Sequence, residues 1–309
     1  FFKFKLFDMS KDISRSDYMT IREDWNNIIK LMKAGNTKDL RNKTVYLEAK
    51  TQGQKKTSER SFYFKQTFLD SILFPDENLE RIVDDKELEK LPLLEVLRGR
   101  VSKYFGRTKK SLEAEFGVKA SKHDGRIIIN RILGLSESKE SLELKQANIQ
   151  IKIVEFNGPR KQHMSFKQIN FVEMANEKRW EDSKIFEQVS AKFMFVVYKH
   201  DNEKNQYLDN IVFYSLSDDE LSECKKVWAH TKDKILKNDY KNFILNETTR
   251  PKDKDRERNK IAHIRTKDSR NKNTGKYAPV NTPQGIRDDV IRHCFWFNRD
   301  FIDSKISNQ

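Results

Sequence analysis

The chain has 309 residues, 61 Lys+Arg against 47 Asp+Glu, a formal net charge of +14, 36% hydrophobic residues and 21 Phe. That apolar content excludes a disordered polycation, and the length calls for one large domain or two. The longest apolar run, Phe193–Tyr198, falls far short of the roughly 20 residues that span a bilayer, so no membrane partner is expected.

In chain order, Phe1–Phe7 reads as a strand without a signal-peptide pattern, and its start on Phe rather than Met reads as a fragment. Ser14 with Asp17 can cap a helix running through Trp25 to Met32. Val45–Ala49 is a short strand candidate, and Phe62–Leu73 is strand or helix. Pro75 to Lys90 is acidic and reads as a connector, helical towards its end, with the main boundary near residue 90. Helices are expected over Leu91–Phe105, over about Lys109 to Phe116 between the caps Thr108 and Gly117, and over Gly125–Leu133 before Gly134. Asn148–Phe156 alternates Ile149, Ile151 and Ile153 with polar residues and is the clearest strand. Phe193–Tyr198, apolar on both faces, reads as a central strand, and Ile211–Tyr214 as another. Ser217 and Glu220 form a capping box for a helix through Trp228. The fold class that follows is α/β, a mixed sheet flanked by helices.

The charge is concentrated. From Arg250 to Lys276 there are eleven Lys/Arg against four acids, half the net charge in 27 residues. Such a run is an electrostatic footprint for a polyanion, with a solvated loop as the bland alternative. No amphipathic apolar face directs it to a membrane surface. Cys224 and Cys294 have no zinc-site spacing and fit a reducing compartment.

The chain also repeats itself. Phe62–Leu73 precedes Phe295–Ile306 by 233 positions with five of twelve identities, and Tyr63 matches Trp296 conservatively. Ser14, Asp17 and Trp25 match Ser217, Glu220 and Trp228 at an offset of 203. Between these anchors, Tyr46–Lys50 is similar to His263–Lys267, which sets Lys50 opposite Lys267. Three blocks in preserved order favour duplication over chance. Residues 1–74 are then the tail of a first copy, 75–90 a connector and 91–309 a second copy.

At this point the residues resemble a family, the MutH-type GATC endonucleases, and within it the type II restriction endonucleases with two such domains in tandem. Thr108–Gly117, Asp124-Gly125-Arg126 and Ile129–Gly134 are similar to the family's N-terminal arm, and Ile149–Lys152 sits where the family has its Glu-x-Lys strand. His263–Lys267 and Phe295–Phe297 are similar to its base-reading loop and C-terminal aromatic segment. The resemblance implies a MutH-like, restriction-endonuclease-like fold in a bacterial cytoplasm, with Mg²⁺ as cofactor of the full-length enzyme.

It also implies what has been lost. The family's Asp, Glu and Lys positions are Glu143, Gln150 and Lys152 here, and the helix position that adds an acid is Asn130. A neutral amide is a poor ligand for a hard cation, so no metal is expected in this fragment. Glu48 and Lys50 with Asp39 make a decoy triplet, because Lys50 falls in the repeated recognition segment. Arg265 and Lys267 suit guanine edges or phosphates, with Lys50 as the first copy's counterpart. Trp296, matched by Tyr63, suits a base or sugar, and Arg299 a phosphate. Lys119, Lys122 and Arg126 are expected to clamp DNA backbone.

The resemblance thus implies the C-terminal part of a GATC-specific restriction endonuclease, binding double-stranded DNA as an allosteric effector of a missing N-terminal catalytic domain, with a homodimer on DNA also possible. An active Mg²⁺-dependent nuclease domain and a plain dimerisation module are the alternatives.

Overall fold

The computed structural model describes residues 8, 11–36, 40–51, 60–121, 123–137, 139–156, 163–203, 205–246, 257–267 and 277–307, and of residues 49–51, 60 and 246 the backbone alone. The strand expected at Phe1–Phe7, Lys122 and most of the Arg250–Lys276 run lie outside these residues. The elements in chain order are α1 (Arg15–Lys33), α2 (Leu40–Lys43), β1 (Leu47–Thr51), β2 (Arg60–Phe64), α3 (Gln66–Leu73), β3 (Leu79–Glu80), α4 (Asp85–Leu88), α5 (Leu93–Ser102), α6 (Lys109–Phe116) and α7 (Asp124–Ile132). They continue with β4 (Glu140–Ser141), α8 (Leu142–Gln146), β5 (Ile149–Phe156), β6 (Met164–Gln168), α9 (Phe171–Asn176), α10 (Lys184–Val189), β7 (Lys192–His200), β8 (Gln206–Tyr214) and α11 (Asp218–Leu236). Last come β9 (Leu245–Asn246), β10 (Arg258–Asn259), β11 (Ala262–Thr266), β12 (Val280–Thr282), β13 (Gly285–Arg287), β14 (His293–Phe297) and α12 (Arg299–Ser307).

Helix ends follow local chemistry. The Ser14 hydroxyl accepts from the Asp17 amide at α1, and Thr108 from the Ser111 amide at α6, each satisfying an otherwise orphaned N–H. Gly117, at φ +63°, closes α6 in the left-handed region. At α11 the reciprocal capping box between Ser217 and Glu220 forms as its spacing predicts. Phe62–Leu73 turns out to be both alternatives in succession, the end of β2 and then α3.

The chain divides into two compact units, Phe1–Gly158 with Ala191–Ser215, and Pro159–Ser190 with Leu216–Gln309. The first is organised on the mixed sheet β5-β7-β8, in which β5 runs parallel and β8 antiparallel to the central β7. Phe193 to Tyr198 on β7 are buried throughout, as a strand covered on both faces requires. Gly125 lets α7 approach this sheet closely, since a Cβ there would meet the Ile153 side chain at 3.3 Å.

The expected boundary near residue 90 does not separate packed bodies. Ile21, Tyr46 and Phe68 share one core with Ile82, Val83 and Leu88, and with Ile128, Ile149 and Met194. The acidic segment 75–90 is therefore no loose connector. Its β3 pairs with β4, and its Ile82, Val83 and Leu88 are buried. The acids that made it look like a linker lie largely on the solvent side.

Buried charge ties the start of this unit together. Asp24 on α1 accepts from the amides of Val45, Tyr46 and Leu47 at 2.7, 2.6 and 2.8 Å, holding the entry to β1. Lys192 is 1% exposed, and its Nζ donates to the carbonyls of Arg41 and Asn42 at 2.8 and 2.9 Å and to Ser215 Oγ at 3.2 Å. Burial holds its ammonium well below the usual lysine range. Asp24→Asn keeps the shape but weakens these acceptors, and a loss of about 1–3 kcal/mol in urea unfolding is expected. Unchanged stability would remove Asp24 from this role.

The second unit carries the sheet β11-β14-β6, with β14 antiparallel to both neighbours. It repeats a motif of the first unit. Helix α1 and helix α11 are each 19 residues long, and the offset of 203 carries one onto the other end to end. The offset of 233 carries β2 onto β14. Pairing fixes the remaining strand. Lys50 faces Ser61 in the first hairpin, and Arg265 faces Cys294 in the second. Because Ser61 and Cys294 are equivalent, Lys50 corresponds to Arg265 and not to Lys267. The alignment read from sequence is thus two residues out of register. Two further bonds agree, from the Lys65 amide to the Tyr46 carbonyl and from the Asn298 amide to the Ile261 carbonyl.

Candidate nucleic-acid interface

The segment expected to be a base-reading loop is a strand, β11, with Lys267 just past its end. Arg265, Thr266 and Lys267 are exposed, while Ala262, His263 and Ile264 are buried. The Arg265 guanidinium lies 5.6 Å from the centre of the Trp296 ring on the paired strand, and Trp296 Nε1 donates to the Arg265 carbonyl at 3.3 Å. Lys267 Nζ donates to Ser165 Oγ on β6 at 3.4 Å. Arg265, Lys267 and Trp296 thus form one basic, aromatic edge, a cation–π pair with a second cation beside it. Such an edge can present guanidinium and ammonium donors to phosphates or guanine edges.

A neutral polar spine supports this edge. Asn259 Oδ1 accepts from the amides of Ile261 and Ala262, at 2.9 and 3.0 Å, where β11 begins. Its Nδ2 donates to Glu223 on α11 at 2.9 Å. Asn298 Nδ2 donates to the Asn259 carbonyl at 2.7 Å, and Asn298 Oδ1 lies 2.6 Å from Nδ1 of His263. Burial lowers the His263 pKa to about 4, so the ring is neutral at pH 7 and Nδ1 carries the proton that Asn298 accepts. His163 packs edge-on to His263 at 4.9 Å, and its Nδ1 accepts from the Arg299 amide at 3.1 Å. Burial, with Arg265 nearby, lowers its pKa as well. Two neutral rings beneath the edge leave its positive charge to Arg265 and Lys267. Sequence reading missed Asn259 and Asn298, because their partners come together through strand pairing.

Arg299 requires a correction. Expected at a phosphate, it is 5% exposed, and its Nε sits 2.6 Å from Asp303 Oδ1 one helical turn on. A buried guanidinium paired within its own helix is a structural cation. Arg126 is also engaged, although its residue is exposed. Its Nη1 donates to the Ile151 carbonyl at 2.9 Å and its Nε to Asn130 Oδ1 at 3.2 Å. It fixes α7 to β5. Lys119 is exposed beyond α6. Tyr63 is half-buried on β2 opposite Glu48, as Trp296 stands opposite His263. Lys50 enters through its backbone pairing alone, and Lys122 lies outside the described residues.

The positions expected to be the remnant of a metal site, Asn130, Glu143, Gln150 and Lys152, do not fit Mg²⁺. Gln150 and Lys152 share one face of β5, two residues apart. Asn130 is the acceptor for Arg126. Glu143, the carboxylate of the set, is 0% exposed. Both its oxygens face the Ile82 amide at 3.2 and 3.1 Å, Oε1 also faces the Val83 amide at 3.3 Å, and Ser141 Oγ donates to Oε2 at 3.1 Å. A carboxylate saturated by internal donors, with the Arg81 guanidinium 3.8 Å from Oε1, anchors the chain around residue 82 and is not disposed to bind a metal ion. Glu143→Gln is therefore expected to cost about 1–3 kcal/mol of stability, read by urea unfolding. Unchanged stability would contradict the anchoring role. Among the described residues no cluster of His, Cys, Asp and Glu side chains is arranged to hold a metal, and no helix is long and apolar enough to cross a membrane.

Compared with known proteins, the chain matches no protein-family model and is similar to no curated protein.

Proposed function

We propose that this chain is a DNA-binding, effector part of a tandem MutH-like restriction endonuclease, recognising GATC in double-stranded DNA with its own cleavage chemistry lost. The observation that carries this reading is the Arg265–Trp296–Lys267 edge, with Arg265 and Lys267 exposed at the end of β11 and Trp296 half-buried on β14 beside them. Chain-neighbouring charge supports it, because the run from Arg250 to Lys276 holds both basic residues of that edge. The neutral spine beneath the edge supports it further, since a rigid strand presents donors to bases more accurately than a free loop does. The sequestered Glu143 and the amides at Asn130 and Gln150 favour binding over hydrolysis.

On this reading Mg²⁺ belongs to a separate catalytic domain, to which this part adds a second DNA-bound site, and a homodimer on DNA would bring two such sites together. Binding must then be independent of Mg²⁺ and dependent on salt, because each neutralised phosphate releases counterions. Lys267→Ala is expected to lower affinity for all duplexes alike by several-fold and to reduce the salt slope by about one. Affinity and slope both unchanged would place Lys267 off the DNA.

A further inference from the structure

Helix α1 carries a second feature that DNA binding leaves unexplained. Tyr18, Arg22, Trp25, Ile29 and Met32 follow one another at alternating spacings of four and three, so they form one stripe on the helix. Tyr18 and Trp25 are each 49% exposed and Met32 47%, with Ile29 also open. The helix buries a different face, through Asp17, Ile21, Asp24 and Ile28. Four large apolar side chains in one row are a contiguous patch rather than the scattered singles that need no explanation.

The repeat shows what such a stripe does elsewhere in the same chain. In α11 the corresponding positions are Leu221, Lys225, Trp228, Lys232 and Ile235, and Leu221, Trp228 and Ile235 are buried, Ile235 completely. Their cover is the segment from α9 through the turn Trp180–Asp182 to α10. The Trp180 ring packs 5.7 Å from Trp228. Trp228 Nε1 donates to Glu177 Oε2 at 2.6 Å, and Lys232 Nζ donates to the Glu177 carbonyl. Lys225 pairs with Glu181 at 3.6 Å. Arg22, the counterpart of Lys225, preserves the positive charge at the position where the cover supplies an acid.

We propose that the Tyr18–Met32 stripe of α1 is a docking face for a polypeptide segment of the kind that Phe171–Val189 forms against α11. Its occupant is two short helices joined by a turn, presenting an aromatic ring to Trp25 and a carboxylate to Arg22. The inference stands on the repeat and the exposed stripe, and holds whether or not the chain binds GATC.

The test uses the 309-residue chain labelled with 5-fluorotryptophan and, as probe, a synthetic peptide with the sequence of residues 159–190. Fluorine NMR resolves Trp25 from the other indoles once Trp25→Phe has assigned it. Saturable 1:1 binding that shifts the Trp25 signal is expected. Trp25→Ala is expected to weaken binding at least about 10-fold, as removal of a central aromatic anchor does. Met32→Asp and Arg22→Glu are expected to weaken it as well. All three side chains lie at the surface, and an unchanged thermal melt confirms that each variant folds. No binding at millimolar peptide, or binding indifferent to Trp25 and Met32, overturns the proposal. So does a dimer of the chain, seen by sedimentation, that Trp25→Asp dissolves, because the face would then belong to a second copy.

Discussion

Acidification from pH 7 to 4 is expected to strip the second unit of several kcal/mol of stability before most carboxylates protonate. His263 and His293 are 4% and 8% exposed, and burial lowers both pKa values from 6.5 to about 4. His293 packs 4.9 Å from Phe243, and its Nδ1 donates to the Ile291 carbonyl at 2.7 Å, a bond that opposes the lowering by burial only in part. A folded pKa below the unfolded one means that the unfolded chain takes up protons first. The stabilisation is therefore complete above pH 6.5 and is lost as pH falls towards 4. A shift of this size corresponds to an upper bound of about 3 kcal/mol for each histidine. Urea unfolding followed by the tryptophans of this unit, Trp180, Trp228 and Trp296, should give a midpoint that is flat from pH 8 to 7 and then falls steeply. His293→Phe, which retains the aromatic packing, should flatten about half of that fall. An acid limb unchanged in this variant would show that carboxylates elsewhere dominate it.

Arg265→Ala is expected to lower affinity for a GATC duplex by about 10- to 100-fold while lowering affinity for a scrambled duplex much less. The expectation follows from the 1–3 kcal/mol that a bidentate contact to a guanine edge contributes to discrimination. Arg265 is exposed, and its position is set by Trp296 beneath it, so substitution should cost little stability. Arg265→Lys is the sharper comparison. Lysine keeps the charge but loses the planar fork and the stacking on Trp296, so most of the specificity should go while the salt slope remains. Titration by fluorescence anisotropy at two salt concentrations reads both quantities. Equal losses on both duplexes would reassign Arg265 to the phosphate backbone.

Much of the local structure was legible in the residues, because the relevant chemistry lies within one turn. Ser14 with Asp17, Thr108 with Gly117, and Ser217 with Glu220 each marked a helix end that the structure places there. Alternation marked β5, and the two-faced apolar run marked β7 as central. Long-range partnership was not legible. Glu143 looked like a relict ligand because its donors, the Ile82 and Val83 amides, lie some 60 positions away. Arg299 looked free, although Asp303 stood four residues on at helical pairing distance, a signal that sequence reading could have used. The two-residue slip between Lys50 and Lys267 arose because strand side chains alternate with period two. A slip of two leaves every residue on its own face and so preserves the similarity. The boundary near residue 90 failed for a different reason. Acidic composition marks a solvent-facing surface, and Ile82, Val83 and Leu88 between those acids enter the core.

The proposed function requires this chain to bind GATC-containing DNA without cutting it. Titration of the 309-residue chain with GATC and scrambled duplexes, each with and without Mg²⁺, followed by strand analysis of the same samples, tests both halves. At least about 100-fold preference for GATC is expected, consistent with the discrimination of a specific protein–DNA interface. No dependence of affinity on Mg²⁺ and intact strands throughout are also expected. Equal affinity for both duplexes, or cleavage at GATC when Mg²⁺ is added, would contradict the proposed function.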